Sequence, residues 1–430
     1  MMDNFLFEQN LHWQHKRYAA GTERELLSRL MALMDIDQVL AISGVRRCGK
    51  SYLMKQMINR LLDNGVAAQN ILFMNLELPA LVGKPAAEVL DDAWNSYLKI
   101  KDPQGRVFLL LDEIQTLPGW ETWIKYHYDV RKGEIKFIIT GSNSQLLSSE
   151  FATRLSGRVI EKRLFPFSLR ERLVHAGIDY SDPQTRVLQK NRILAIFENM
   201  LYQGSMPEII DIEEREIKRE ILAAYFDTIV YKDIVPRFSV RQSRLLKDLA
   251  VYLTGQAGSL VNLKKLAELF GSNRNIMKEF LSYLDYALLV SLLEKFDYSA
   301  RKRELSFKKI YLIDNGFAAF IPLRFSPDRG HLFENQIAIE LLRRDAKVFY
   351  WKNQGECDFI VLEKDEPALA IQACFELNEN NRDREVAAIS GARRHLGVQQ
   401  AVILTFNQTD TIAADDLTIA IRPAYQWLIE

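Results

Sequence analysis

Cysteine is scarce: Cys48, Cys357 and Cys374 are the three in 430 residues, too few and too scattered for a disulfide framework or a cysteine-ligated metal centre. A reducing compartment is the expectation. Neither sign of charge is in excess, with 56 Lys plus Arg against 56 Asp plus Glu. That balance excludes a globally basic nucleic-acid coat and leaves any such binding to a local patch. Long apolar runs are missing as well. No segment approaches the roughly 20 apolar residues of a membrane-spanning helix, and the opening MMDNFLFEQNLHWQHKRYAAG is broken by polar and charged residues before a signal-like stretch can form. The chain is therefore expected in the cytoplasm, with no membrane partner. Glycine and proline are few, at 20 and 12, and form no low-complexity tract. What is present is a 48% hydrophobic, 26% charged sequence, long enough for roughly two to four domains.

Apolar runs at QVLAIS (38–43), ILFMNL (71–76), VFLLLD (107–112), KFIIT (136–140) and VIEKRLF (159–165) alternate with helical patterns. Continuous apolar strands separated by helices predict a doubly wound parallel sheet covered on both faces, an α/β domain over 1–165. From 166 to 238 the strand signal gives way to amphipathic helical spacing, as in RILAIFENMLYQG and REILAAYFDTIVYKDIV, which predicts a helical lid. Residues 239–325 hold a helix, a Gly-containing turn, a second helix and two strands around SARKREL, the order of a winged helix. RFSPDRG marks the next boundary, and residues 326–430 run helix, three strands, helix, strand, a second small α/β unit.

The first strand leads directly into GVRRCGKS, followed by the helical YLMKQMINRLL. A Gly-x4-Gly-Lys-Ser between strand and helix is a phosphate loop: Gly44, Val45, Arg46, Arg47, Cys48, Gly49, Lys50, Ser51 and Tyr52 would wrap a nucleotide in backbone N–H groups at a helix N-terminus. Lys50 would neutralise the β- and γ-phosphates and Ser51 would ligate Mg2+, so ATP and Mg2+ are the expected cofactors. The third strand ends in Asp112-Glu113, where Asp112 suits the metal shell and Glu113 suits orientation of the attacking water. A DE pair after a strand is also a common solvated cap; its pairing with the loop is what gives it meaning. At the end of the fourth strand, Ser142 or Asn143 is placed either to contact the γ-phosphate or its water or simply to cap the next helix. Arg154 and Arg158, at i and i+4, offer either an arginine finger for a neighbouring nucleotide or ordinary ion pairs.

Taken together, ISGVRRCGKS, LLLDEIQ, TGSNSQLLS, LSGR and LFPFSLRE, with the later YQGSMPE, IYLIDNGF, ENQIAIELLRR, CDFIV and IQACFEL, resemble the bacterial and archaeal AAA+ superfamily ATPases that carry a C-terminal domain of unknown function. The resemblance covers nearly the whole chain. It implies an AAA-type P-loop core, a helical lid, a winged helix and a C-terminal restriction-endonuclease-like α/β domain, without assigning a physiological role.

Two weaker sites remain. In the winged-helix segment, Arg274, Asn275 and Lys278 open the second helix and Arg301, Lys302 and Arg303 are expected at the hairpin tip; from 301 to 309 there are five basic residues and one acidic. Such a tip suits DNA phosphates, although solvated tips are commonly charged and winged helices also bind proteins. In the last segment, ECDFIVLEKDEPALAIQAC has the shape of a nuclease hairpin with Glu334 on the preceding helix and Asp358 on the strand. Gln372 and Cys374 stand where a carboxylate and an ammonium are needed. Glu334, Glu356 and Asp358 retain some capacity for metal. The expectation is a nuclease-like domain that does not cut. The leading functional expectation is a Mg2+-dependent ATPase coupled to modules acting on DNA, with a homo-oligomer or a protein partner as its assembly; the alternatives are a slow signalling ATPase that binds a protein partner and an ATP-gated nuclease.

Overall fold

A computed structural model describes residues 2–141, 155, 157–322, 328–353, 355–414 and 417–430. The chain divides into two compact units, Met1–Phe165 and Pro166–Glu430. Among the described residues no helix is long and apolar enough to cross a membrane.

The first unit is built on five parallel strands, β1 (Val39–Ser43), β2 (Ile71–Asn75), β3 (Val107–Asp112), β4 (Ile135–Gly141) and β5 (Val159–Arg163), in the order β2-β3-β4-β1-β5. Every residue of β1, β3 and β4 is buried, as expected of central strands covered on both faces. The charged β5 (VIEKR) is half-buried at the edge. Helices α1 (Lys50–Asp63), α2 (Ala86–Lys101) and α3 (Trp120–Val130) pack on the sheet. One core cluster gathers Trp13, Trp94, Tyr97, Trp120, Trp123 and Phe137 with the strand residues of one face.

The second unit holds two sheets. A three-stranded antiparallel sheet runs β6 (Leu260–Val261), β8 (Lys308–Leu312), β7 (Val290–Leu293), with β8 central. Before it come α4 (Lys190–Gln203) and α5 (Arg215–Thr228), the latter continuing as a π-helical turn over Ile229–Ile234. Helices α6 (Leu263–Leu269) and α7 (Arg274–Tyr286) lie between β6 and β7 and are capped by Asn262 and Asn273. The hairpin tip expected at SARKREL is instead a short helix, α8 (Ala300–Leu305). Ser299 caps it by accepting the Lys302 N–H, and Arg303 donates to the Asp297 carbonyl at 2.7 Å. Ala, Arg, Lys, Glu and Leu are strong helix formers, and a capping serine in front of them outweighs the turn reading.

The mixed six-stranded sheet runs β13 (Asp410–Ala414), β14 (Leu417–Pro423), β12 (Gln400–Thr405), β11 (Glu366–Ala373), β10 (Glu356–Glu363), β9 (Lys347–Lys352). Helices α9 (Arg329–Arg343) and α10 (Arg382–Leu396) cover it. Alternation along the strands separates two cores: Phe359, Ile371, Val402 and Leu404 join Phe197, Phe333 and Tyr311 on one face, while Ile360, Ala370 and Ile403 join Trp351 and Ile389 on the other. The small sheet is sutured to the large one where Tyr350 donates to Glu294 and accepts from Phe296 through the backbone.

Candidate functional site

In the first unit, loop 44–49 leaves the end of β1 and enters α1 at Lys50. Two glycines have geometric reasons. Gly49 has φ +102°, open to glycine and strained for other residues. At Gly44 an added Cβ would meet the Leu164 carbonyl oxygen at 2.5 Å and Cys48 Sγ at 2.8 Å, so the loop is packed directly on the segment that follows β5. Arg46 pairs with Glu77 at 2.5 Å; Arg47 has φ +69°; Val45 and Cys48 are buried and Tyr52 is half-exposed.

Lys50 is 4% exposed and its ammonium lies 3.3 Å from Glu113 Oε1 while donating to the Gly44 carbonyl at 3.1 Å. Glu113 sits just past β3 in the left-handed region, φ +55°, a conformation a glutamate adopts only under constraint. That backbone is fixed where the Glu113 N–H donates to Thr140 Oγ1 at 2.9 Å. Burial pushes the Glu113 carboxyl up, but Lys50, Gln115 and Arg46 overcome it and hold it below the usual range. Burial likewise works against the Lys50 ammonium, and Glu113 first, then Cys48 and Asp112, together more than restore the loss.

Asp112 is fully buried. Its Oδ1 accepts from Thr140 at 2.5 Å, its Oδ2 from Asn75 at 3.3 Å, and Ser51 is hydrogen-bonded to it as well. Burial and the neighbouring Glu113 push its carboxyl up despite those bonds. A carboxylate short of positive charge with a hydroxyl against it is a donor set that fits a hard divalent cation such as Mg2+. Ser142, Asn143 and Arg154 lie outside the described residues. Arg158 is paired with Asp129 at 3.0 Å. Sequence reasoning missed Asn75, Thr140 and Arg24. The 2%-exposed Arg24 guanidinium donates to the Cys48 carbonyl and to the Phe165 carbonyl, each at 2.6 Å.

In the second unit, Arg274, Asn275 and Lys278 are exposed at the start of α7, and Lys278 reaches Glu304 of α8 at 3.7 Å. Arg301 and Lys302 are exposed. The local basic excess is smaller than the sequence suggests: Lys308 pairs with Glu294 at 3.0 Å, Arg303 is held by Asp297, and Lys309 is buried. Beside these cations Tyr298, Leu305 and Phe307 are exposed.

Glu334 and Asp358 do meet, around a group the sequence pattern did not supply. The ammonium expected to be absent comes from Lys309 on β8: its Nζ lies 3.0 Å from Glu334, 2.9 Å from Asp358 and 2.7 Å from Glu356. Tyr311 donates to Glu334 at 2.6 Å. Burial, then the Asp358 charge, push Glu334 up to about 7. Gln372 accepts the Asp358 N–H at 3.2 Å and donates to Glu385 at 2.7 Å, and the Cys374 thiol donates to the Glu376 carbonyl. Nearby, the buried Asp314 accepts from Ser205 N–H at 2.7 Å and from Gly316 N–H at 2.8 Å, so that YQGSMPE and IYLIDNGF meet.

The family description "AAA domain" matches residues 37–173, and "Domain of unknown function (DUF8612)" matches residues 194–328. An uncharacterized protein of Methanocaldococcus jannaschii is 31% identical over 407 residues, covering 91% of this chain and 88% of its own. One of Haemophilus influenzae is 30% identical over 370 residues, covering 84% and 88%. Among solved structures, the Aeropyrum pernix Orc1 protein in complex with DNA aligns with TM-score 0.31 at 13% identity, over 68% of this chain and 89% of that one. DnaA from Aquifex aeolicus bound to AMPPCP aligns with TM-score 0.27 at 12% identity, over 66% and 91%.

Proposed function

The chain belongs to the family of the Methanocaldococcus jannaschii and Haemophilus influenzae proteins and carries an AAA domain over 37–173, and from that premise we propose that it is a Mg2+-dependent ATPase whose nucleotide state governs the second unit. Lys50 and the N–H groups of loop 44–52 bind the phosphates, Ser51 and Asp112 hold the metal, and Glu113 orients the attacking water. Mg2+ would supply charge neutralisation on the phosphates. The observation that carries the reading is the Lys50–Glu113 pair at 3.3 Å beside the Ser51–Asp112 hydrogen bond. It brings Lys50 and Ser51, at the start of α1, beside Asp112 and Glu113 at the C-terminal end of β3, which supports reading them as a loop cation, a metal-binding pair and a water-orienting carboxylate. The ammonium rests on the carboxylate. A triphosphate drawing Lys50 away releases Glu113 to accept a proton.

We read 166–238 as the helical lid, 239–325 as a winged helix and 326–430 as a restriction-endonuclease-like domain without cleavage activity. DNA is the proposed partner of the second unit through Arg274, Asn275, Lys278, Arg301 and Lys302. One observation favours a protein partner instead: three of the five basic residues in 301–309 are buried or engaged, while Tyr298, Leu305 and Phe307 stand exposed beside the other two. ATP turnover measured alone and with duplex DNA, single strands and RNA separates the two. Stimulation by nucleic acid supports the first reading, and indifference to all three favours the second.

A further inference from the structure

The restriction-endonuclease-like reading of residues 326–430 implies a divalent metal held by Glu334 and Asp358, and the residues present do not fit one. Among the described residues, no group of three or more His, Cys, Asp or Glu is placed to hold a metal ion. The reason is visible in the pocket. Glu334 of α9 and Glu356 and Asp358 of β10 point at one spot, and that spot is taken by Lys309 Nζ at 3.0, 2.7 and 2.9 Å. An ammonium has three N–H donors and no acceptor, so three carboxylates exhaust it. No N–H remains to steer a water. The Lys309 side chain is 2% exposed, and Gly258 presses on Glu334, where an added Cβ would come within 2.9 Å of Oε2. The carboxylate oxygens that a metal would need already accept from Lys309, and Oε1 of Glu334 also accepts from Tyr311.

We propose that Lys309 is a tethered cation standing where a divalent metal would otherwise sit, so that this pocket is closed to metal in the native chain and becomes a metal site when the ammonium is removed. The lysine arrives from β8, the central strand of the small antiparallel sheet, and its charge joins that sheet to β10 and α9. This role is structural. It does not depend on the nucleotide reading, and it is tested without nucleotide.

The experiment compares the full chain with Lys309→Met, which keeps the length of the stem and removes the charge, each with and without Mn2+. The native chain is expected to bind no Mn2+ that Asp358→Asn abolishes, and the unfolding midpoint of its second unit is expected not to move. Lys309→Met leaves the buried Glu334 and Asp358 without their shared counter-charge, while the half-buried Glu356 keeps Lys352 at 2.6 Å, so it should unfold earlier in chelator, recover in Mn2+, and bind Mn2+ in a titration. Adding Asp358→Asn to Lys309→Met should remove that binding. Three results overturn the proposal: native Mn2+ binding lost on Asp358→Asn, a Lys309→Met chain that folds without taking up Mn2+, or one that fails to fold in Mn2+ as well as in chelator. Refolding of Lys309→Met only when Mn2+ is present would support it.

Discussion

Lys50 Nζ and Glu113 Oε1 stand 3.3 Å apart, both almost wholly buried, so each is the other's principal counter-charge. Removing one partner of a buried pair leaves an uncompensated charge, which costs about 3–5 kcal/mol. Lys50→Ala should therefore destabilise the first unit as well as abolish most nucleotide affinity. Glu113→Gln keeps size and hydrogen bonding but cannot accept a proton. It should bind nucleotide at least as well as the native chain and lose about 100-fold or more in turnover. Calorimetric nucleotide binding beside single-turnover hydrolysis decides it. Near-native hydrolysis in Glu113→Gln would move the water-orienting role to another residue.

The second prediction concerns α8. With Arg303 held by Asp297 and Lys308 by Glu294, the exposed cations of this segment are Arg301 and Lys302. If the segment meets a duplex, Arg301→Ala with Lys302→Ala should weaken binding for all sequences and flatten the salt dependence by about two phosphate contacts. Basal ATPase should be unchanged. Adding Arg303→Ala should cost local stability rather than further salt slope. An unaltered slope in the double variant would favour the protein partner, and replacing Leu305 and Phe307 would then be the informative change.

The parallel sheet was legible because its strands are continuous apolar runs, and all five fall within a residue or two of where periodicity put them. The phosphate loop was legible because its chemistry is confined to eight consecutive residues. What escaped notice is held by long separations. Lys309 meets residues 25 and 49 positions further along, and no local pattern marks a lysine that will be buried against them. Asn75 and Thr140 reach Asp112 from neighbouring strand ends by the same logic. The α8 helix is hidden by its run of charge, and only the Ser299 cap in front of it marks a helix start. The β13–β14 hairpin lacks an apolar run long enough to stand out.

The third prediction is a pH dependence. His12 is 2% exposed, with Nε2 against the Ile71 carbonyl at 3.0 Å and Nδ1 beside the Tyr18 hydroxyl at 3.1 Å. A carbonyl only accepts, so Nε2 carries the proton of the neutral ring. Burial pushes its pKa down from 6.5 to about 4, the Ile71 bond opposing and Lys101 adding to the shift. Between these values the unfolded chain binds a proton that the folded chain refuses. The contribution is therefore full above about pH 6.5 and is lost as pH falls toward 4, by roughly 3 kcal/mol. Urea unfolding at several pH values should show that slope for the first unit, and His12→Asn should begin less stable yet lose less on acidification. Equal slopes in the two chains would place the acid sensitivity elsewhere.

The fourth follows from Arg24, whose two guanidinium nitrogens bind the Cys48 carbonyl in the phosphate loop and the Phe165 carbonyl at the last residue of the first unit. Its backbone N–H is tied separately to Gln56 at 3.0 Å, so a side-chain change leaves the position of the chain fixed. The planar fork reaches two diverging carbonyls at once, and the single ammonium of a lysine reaches one. Arg24→Lys should leave one buried carbonyl without its donor, at about 1–3 kcal/mol, and loosen the loop against the segment that follows β5. The expected signature is a rise in KM for ATP of about tenfold with kcat altered much less, since Lys50 and Glu113 are untouched. Gly44→Ala attacks the same junction from the other side, by driving a Cβ into the Leu164 carbonyl, and should raise KM in the same direction. Native KM in Arg24→Lys together with lowered thermal stability would make Arg24 a packing residue with no part in shaping the loop.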